Sequence, residues 1–240
     1  MNRRNRNYRV YKPVIVVLIA IVYLIATFYK DDITRWFQNL ITASYSIGQI
    51  PVYSGNPYIV IDNNEPNFDE KDKTTTSFEK YSNLDLLGRC GVAYANIGKD
   101  LMPTEERESI GMIKPSGWQT IKYDHISGKY LYHRCHLIGY QLTGENANEK
   151  NLITCTSSMN TKVMIDFENE VADYIKDTGN HVLYRVTPIF EGSNLVASGV
   201  QMEALSVEDK GKGVKFNVYV YNVEDGIEIN YSNGESRLKS

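Results

Sequence analysis

The sequence predicts an α+β fold: an antiparallel sheet with one helix packed on it, preceded by a single N-terminal transmembrane helix. Three observations predict it. The C-terminal third alternates apolar and polar residues between hairpin-type connections, one stripe of apolar residues at helical spacing follows Asn160, and an unbroken apolar run fills residues 13–29. The chain has 240 residues, 42% hydrophobic and 23% charged. Those values sit inside globular limits and leave room for one domain of about 150–200 residues.

The apolar run begins at Pro13 and ends at Tyr29, closed by Lys30-Asp31-Asp32 and preceded by Arg3, Arg4, Arg6, Arg9 and Lys12. It is at the short end of what crosses a hydrocarbon core of ~30 Å, and longer than the 7–15 apolar residues of a typical signal peptide (range ~7–15). No small-x-small cleavage site follows it, and the positive-inside bias keeps the basic arm cytoplasmic. The expectation is therefore a cytoplasmic arm over residues 1–12, a transmembrane signal anchor over 13–29, a linker over 30–57 and an extracellular domain over 58–236. Secretion after signal cleavage is the alternative.

Five of the 26 basic residues lie in the arm, so the rest of the chain carries 21 basic against 29 acidic residues, a formal charge of −8. That balance argues against a tight, static nucleic-acid binder, whose affinity comes from counterion release by many Lys and Arg contacts. A brief catalytic encounter assisted by a divalent cation remains compatible with it. The three cysteines, Cys90, Cys135 and Cys155, would face a disulfide-permissive space, and the sequence does not choose a pair among them. None has the CxxC spacing of a structural zinc site.

In the linker, Ile33-Thr34-Arg35-Trp36-Phe37-Gln38-Asn39-Leu40-Ile41 reads as a short amphipathic helix, followed by Gly48, Pro51, Gly55 and Pro57. Tyr58-Ile59-Val60-Ile61 reads as the first strand and the polar stretch 63–80 as a solvated surface loop. Gly91-Val92-Ala93-Tyr94-Ala95 and the segment 130–136 are strand-like. From Asn160, steps of 3.6 residues bring Met164, Phe167, Val171, Tyr174 and Ile175 onto one stripe, and Gly179 marks its end. Strands follow over 181–188, 194–200 and 214–223.

Chemistry concentrates in His133-Arg134-Cys135-His136. In a strand, Arg134 and His136 share one face, with His133 and Cys135 on the other, which disfavours the two histidines as a chelating pair. A guanidinium beside a neutral imidazole suits a phosphodiester, the first pairing with phosphoryl oxygens and the second taking a proton from water. An ordinary partly buried histidine is the plainer reading. Asn160 lies on the apolar stripe, where its amide oxygen could serve Mg²⁺; as the first residue of a helix it would equally serve as an N-cap. Glu168 lies about 80° round the helix from Asn160 and could hold a metal-bound water, or could be an exposed helix carboxylate. Arg89, Lys114 and Trp118 are further candidates for phosphate or base contact, each also readable as solvated charge or core aromatic.

The block from His133 through His136-Leu137-Ile138-Gly139-Tyr140-Gln141 to Asn151-Leu152-Ile153-Thr154 closely resembles the DNA/RNA non-specific endonucleases of Gram-positive bacteria, the group containing secreted streptococcal DNases and the membrane-bound nuclease of DNA uptake. The resemblance runs from about Tyr58 to Ser236 and includes Gly88-Arg89-Cys90-Gly91-Val92-Ala93 and Lys114-Pro115-Ser116-Gly117-Trp118-Gln119. It implies a ββα-metal finger, hydrolysis of both DNA and RNA, and one Mg²⁺ with Mn²⁺ as the alternative ion. It also implies that His136 is the general base, that Arg134 is the motif arginine, and that Asn160 binds the metal with Glu168 supporting its water shell.

The family motif has Asp or Asn where this chain has His133. Relatives carry Thr-Arg-Tyr-x-Asn and Leu-Pro-Phe-Glu where this chain reads Thr156-Ser157-Ser158-Met159-Asn160 and Ile165-Asp166-Phe167-Glu168. A basic residue and an aromatic are thus missing beside Asn160. The competing expectation is a surface nucleic-acid-binding protein of the same fold whose turnover has weakened.

Overall fold

A computed structural model describes residues 45–239. The expected signal anchor over 13–29 and the helix expected over 33–41 lie outside the described residues. Among the described residues no helix is long and apolar enough to cross a membrane.

Six strands form one antiparallel sheet: β1 (Tyr58–Val60), β2 (Phe78–Tyr81), β3 (Ala93–Ile97), β6 (Val182–Ile189), β7 (Gly199–Ser206) and β8 (Lys215–Tyr221), in the order β1-β8-β7-β6-β3-β2. A separate two-stranded ribbon pairs β4 (Tyr132–His136) with β5 (Leu152–Thr156), and β9 (Ile227–Ile229) pairs with β10 (Ser236–Leu238). Alternate residues of the large sheet point into one core: Ala93, Ala95 and Ile97, then Val182, Tyr184 and Val186, then Val200, Met202 and Ala204. The expected α+β architecture with an antiparallel sheet is the one observed.

A short helix α1 (Tyr140–Thr143) follows β4, and the main helix α2 (Ile165–Thr178) follows β5. Val171 and Ile175 of α2 are buried in the core with Phe167 and Tyr174 packed against it, the stripe that the 3.6-residue spacing predicts, and Ala172 joins them. Gly179 ends α2 with φ 73°, donating to the Ile175 carbonyl at 2.9 Å; without a Cβ it takes this left-handed conformation at no steric cost.

Between β5 and α2 the chain forms a π-helical turn, Met159–Met164, which the α-periodicity does not predict. A π turn inserts about one residue into the α-helical phase. Asn160 and Glu168 then subtend roughly seven α-steps, about 700°, and come onto nearly one face instead of standing about 80° apart.

The polar stretch 63–80 is not a solvated loop throughout. It contains β2, and its Phe68 is 5% exposed, stacked on Tyr94 at 5.7 Å between ring centroids and lying 5.0 Å from the Arg185 guanidinium. The outer sheet face carries the Arg185–Glu203 ion pair at 2.7 Å, and Asn67 closes over it by donating its N–H to Glu203. A charged face of that kind takes a polar covering segment, which composition alone reads as surface. Residues 45–57, expected as part of a linker, also pack on the domain: Tyr53 meets Tyr221 edge-on at 5.5 Å, and the Tyr221 hydroxyl donates to the Pro51 carbonyl at 2.9 Å.

Two buried amides tie the ribbon to the rest of the domain. Asn151 accepts from the Ile138 N–H and donates to the Ile138 carbonyl, both at 2.9 Å, fixing the chain just after His136. Asn222 accepts from the Thr156 N–H at 2.8 Å and donates to the Ala197 carbonyl at 2.9 Å, fixing the end of β5 to the sheet. The Cys135–Cys155 disulfide links the two strands inside the core, with 5.9 Å between Cα atoms, and Cys90 is the buried free thiol.

Candidate active site

The ribbon and the π turn border a cleft with two neighbouring lobes, and Asn160 and Arg107 border both. The smaller lobe, about 310 Å³, also has His136, Gly139, Gln141 and Glu168 in its walls. The larger, about 520 Å³, has Trp118, Tyr130, Tyr132, His133 and Arg134.

His136 ends β4 and is 7% exposed. Its Nε2 lies 2.8 Å from the Asn146 carbonyl oxygen, which can only accept. Nε2 therefore carries the proton, and Nδ1 keeps its lone pair. Nδ1 lies 3.5 Å from Nη2 of Arg107. Burial holds the imidazole below its ordinary value; the Asn146 carbonyl opposes this and the Arg107 charge reinforces it. At neutral pH this side chain is a neutral base with its free nitrogen toward a cationic group at the cleft.

Asn160 sits inside the π turn and does not act as the helix N-cap. Other groups meet that need: Thr156 Oγ1 accepts the Met159 N–H at 3.2 Å, and Glu224 accepts both the Ser158 N–H at 2.9 Å and the Ser158 hydroxyl at 2.5 Å. With the cap supplied elsewhere, the Asn160 amide is free to turn into the cleft. Its Nδ2 lies 3.2 Å from Nδ1 of His133, so donation there leaves Oδ1 to accept.

Glu168 is 8% exposed on the first turn of α2. Burial pushes its carboxyl up to about 8, against the opposing influence of the Arg107 charge, Gln141 and the Gly139 N–H. The carboxylate packs directly on Gly139, where a Cβ would displace it. An exposed helix carboxylate, the plainer expectation, is excluded by the burial. An amide oxygen and a desolvated carboxyl group facing one cavity form a hard oxygen donor set that fits Mg²⁺, which takes few protein ligands. Among the described residues there is no cluster of three or more His, Cys, Asp and Glu side chains able to hold a metal ion.

The remaining expected residues divide. Arg134 lies in the larger lobe, not beside His136: its guanidinium is 4.0 Å from the Trp118 ring centroid and donates to the Ile113 carbonyl and, at 2.9 Å, to the Gly111 carbonyl. Arg134 and His136 border different lobes, and the guanidinium that faces His136 Nδ1 is that of Arg107. His133 borders the lobe of Arg134 as well, its ring meeting Asn160 of the π turn. Trp118 reaches the cleft. Arg89 does not; it pairs with Asp85 at 2.7 Å, donates to the Gly192 and Asn194 carbonyls and lies over the Phe190 ring, pinning two loops together. Lys114 is exposed and borders neither lobe.

Arg107, Gly139, Gln141 and Asn146 escaped the sequence reading. Arg107 stands in the run Glu105-Glu106-Arg107-Glu108, which looks like any solvated charged stretch. Gly139 and Asn146 act through the missing side chain and the backbone carbonyl respectively, neither of which leaves a residue-type signal.

A family profile described as DNA/RNA non-specific endonuclease matches residues 69–208. Among solved structures, NucA from Streptococcus agalactiae with no metal bound is 25% identical, covering 81% of this chain and 92% of that one, with a TM-score of 0.68. The same protein with a magnesium ion bound gives 24% identity, the same coverages and a TM-score of 0.69. Sda1 nuclease with a bound zinc ion is 32% identical over 68% of this chain and 80% of that one, with a TM-score of 0.57.

Proposed function

The chain belongs to the DNA/RNA non-specific endonuclease family, and from that premise we propose that it hydrolyses phosphodiester bonds of DNA and RNA with His136 as general base and one Mg²⁺. The observation that carries the assignment is the tautomer of His136. With Nε2–H committed to the Asn146 carbonyl, Nδ1 is the atom that takes a proton from the attacking water, in a lobe it shares with Asn160 and Glu168. Arg107 borders both lobes and sits at Nδ1, so its guanidinium meets the phosphoryl oxygens as the water is deprotonated. Arg134 acts one step back, holding residues 111–113 and Trp118 against the cleft.

Asn160 Oδ1, and Glu168 through water, would hold the Mg²⁺ or, in its place, Mn²⁺. When bound, such an ion polarises the phosphoryl group and offsets charge that develops in the transition state. His133 receives the Asn160 Nδ2–H and so keeps Oδ1 available for that role. One known structure of a relative contains magnesium, which supports this choice of ion.

The test is nicking of plasmid DNA and degradation of RNA by the full-length chain with Mg²⁺ and with EDTA. Activity with Mg²⁺ that EDTA abolishes is expected. Binding of DNA without nicking in Mg²⁺ or Mn²⁺ would reject hydrolysis and favour a surface nucleic-acid-binding protein, the reading that the substitutions Ser157 and Ser158 beside Asn160 support. We also propose that residues 13–29 anchor the chain in the cell membrane, N-terminus inside and catalytic domain outside. Protease added to intact cells should remove the domain; full protection would reject that orientation.

A further inference from the structure

The hydrolysis described above takes place in the smaller lobe and leaves the part of the larger lobe around Tyr130 without a task. Its walls are planar groups. The Arg134 guanidinium lies 4.0 Å from the Trp118 ring centroid, and Tyr130 lines the same cavity, 44% exposed, with the Lys122 ammonium 4.5 Å from its ring. An isolated bridge pairs Lys122 with Tyr130, so that ring is carried on paired backbone. Thr120 adds a hydroxyl to the lining, and Asn160 and Arg107 join the cavity to the lobe of His136.

At about 520 Å³ the cavity is in the range of small-molecule pockets, roughly 300–1,000 Å³, and takes one nucleoside. Aromatic rings and a guanidinium plane next to a phosphate site are the components of a stacking platform for unpaired bases, which accepts any base because every base has a π face. A base inside a duplex is already stacked and paired, and enters a pocket only after leaving the helix.

From this juxtaposition we infer that the larger lobe is a nucleobase pocket for the nucleotide flanking the scissile phosphate, and that the substrate class is single-stranded or locally unpaired DNA and RNA. The inference rests on the assignment of the smaller lobe as the cleavage site. It replaces indifference to strandedness with a preference, while leaving base identity unread.

The test uses the full-length chain in detergent, with EDTA present, and a 2-aminopurine-labelled oligonucleotide either single-stranded or folded into a hairpin duplex. The single strand should bind at least about tenfold more tightly than the duplex. Tyr130→Ala should weaken single-strand binding by about 5- to 150-fold, the worth of one stacked base, and leave duplex binding within roughly twofold; Tyr130→Phe should restore it. Equal wild-type affinity for the two forms, or unchanged single-strand binding by Tyr130→Ala, overturns the pocket. Adding Mg²⁺ separates the two ideas. Strand-selective binding without cleavage of either form leaves the pocket standing and rejects hydrolysis, whereas cleavage without strand preference keeps hydrolysis and rejects the pocket.

Discussion

Gly139→Ala adds a single methyl group to the wall of the smaller lobe, and the structure says what it meets. The Cβ would overlap the buried Glu168 carboxylate, so that carboxylate must leave its place in the lobe wall. The backbone is not the difficulty: Gly139 has φ −59° and ψ 146°, a conformation any residue adopts. Overpacking at a buried site costs about 1–3 kcal/mol, and for a domain of this size each kcal/mol lowers Tm by about 2–4 °C, so calorimetry should record a drop of roughly 2–12 °C. Under the role proposed for Glu168, the displaced carboxylate would also lose its hold on the metal's water shell. Supporting partners of that kind are worth about 10–100-fold in metal affinity, and titration calorimetry with Mg²⁺ should show a loss in that range. In a Glu168→Ala background the added methyl should cost little more. If Gly139→Ala unfolds at the wild-type temperature and binds Mg²⁺ as tightly as wild type, the packing argument and the role given to Glu168 are both wrong.

Three further outcomes follow from the same geometry. Because burial holds His136 below its ordinary value of 6.5, its neutral, proton-accepting form persists to lower pH, and the acid limb of kcat/KM should fall below pH 6.5. Arg107→Ala removes the cation facing Nδ1, so that limb should move upward while kcat/KM drops; a profile that does not move would dissociate Arg107 from the base. Loss of the Cys135–Cys155 bridge, by Cys135→Ser with Cys155→Ser, reopens a loop of sequence separation 20 and should cost about 3 kcal/mol, read as a Tm lowered by roughly 6–12 °C.

Most of the sheet is legible in the sequence because its strands obey one rule. Residues 181–188 and 214–223 alternate inward and outward, as the buried Val182, Tyr184 and Val186 and the buried Phe216, Val218 and Val220 bear out. The segment containing β2 hides because Phe78-Glu79-Lys80-Tyr81 is a short, partly exposed edge strand with two charges at its centre. Helix α2 shows its apolar stripe, yet the π turn before it cannot be read from spacing, since beside the local Thr156 hydroxyl it is held by Glu224 from a distant part of the chain. The same turn brings Asn160 into the lobe of Glu168 and His136. Residue types therefore singled out the donors, while the element that brings them together came from tertiary contacts. Arg134 shows the converse: a motif position drew attention to it, but its donors serve backbone carbonyls, and a cation from an unremarkable acidic run stands at the base instead.

The most direct measurement is single-turnover cleavage of an end-labelled single-stranded oligonucleotide by wild type and by His136→Ala at saturating Mg²⁺, with Mg²⁺ affinity determined for both. Removal of a positioned general base should slow cleavage by at least about 10²-fold and leave Mg²⁺ affinity unchanged. Cleavage by His136→Ala at the wild-type rate would contradict the account, because the imidazole held by the Asn146 carbonyl would then have no part in the reaction.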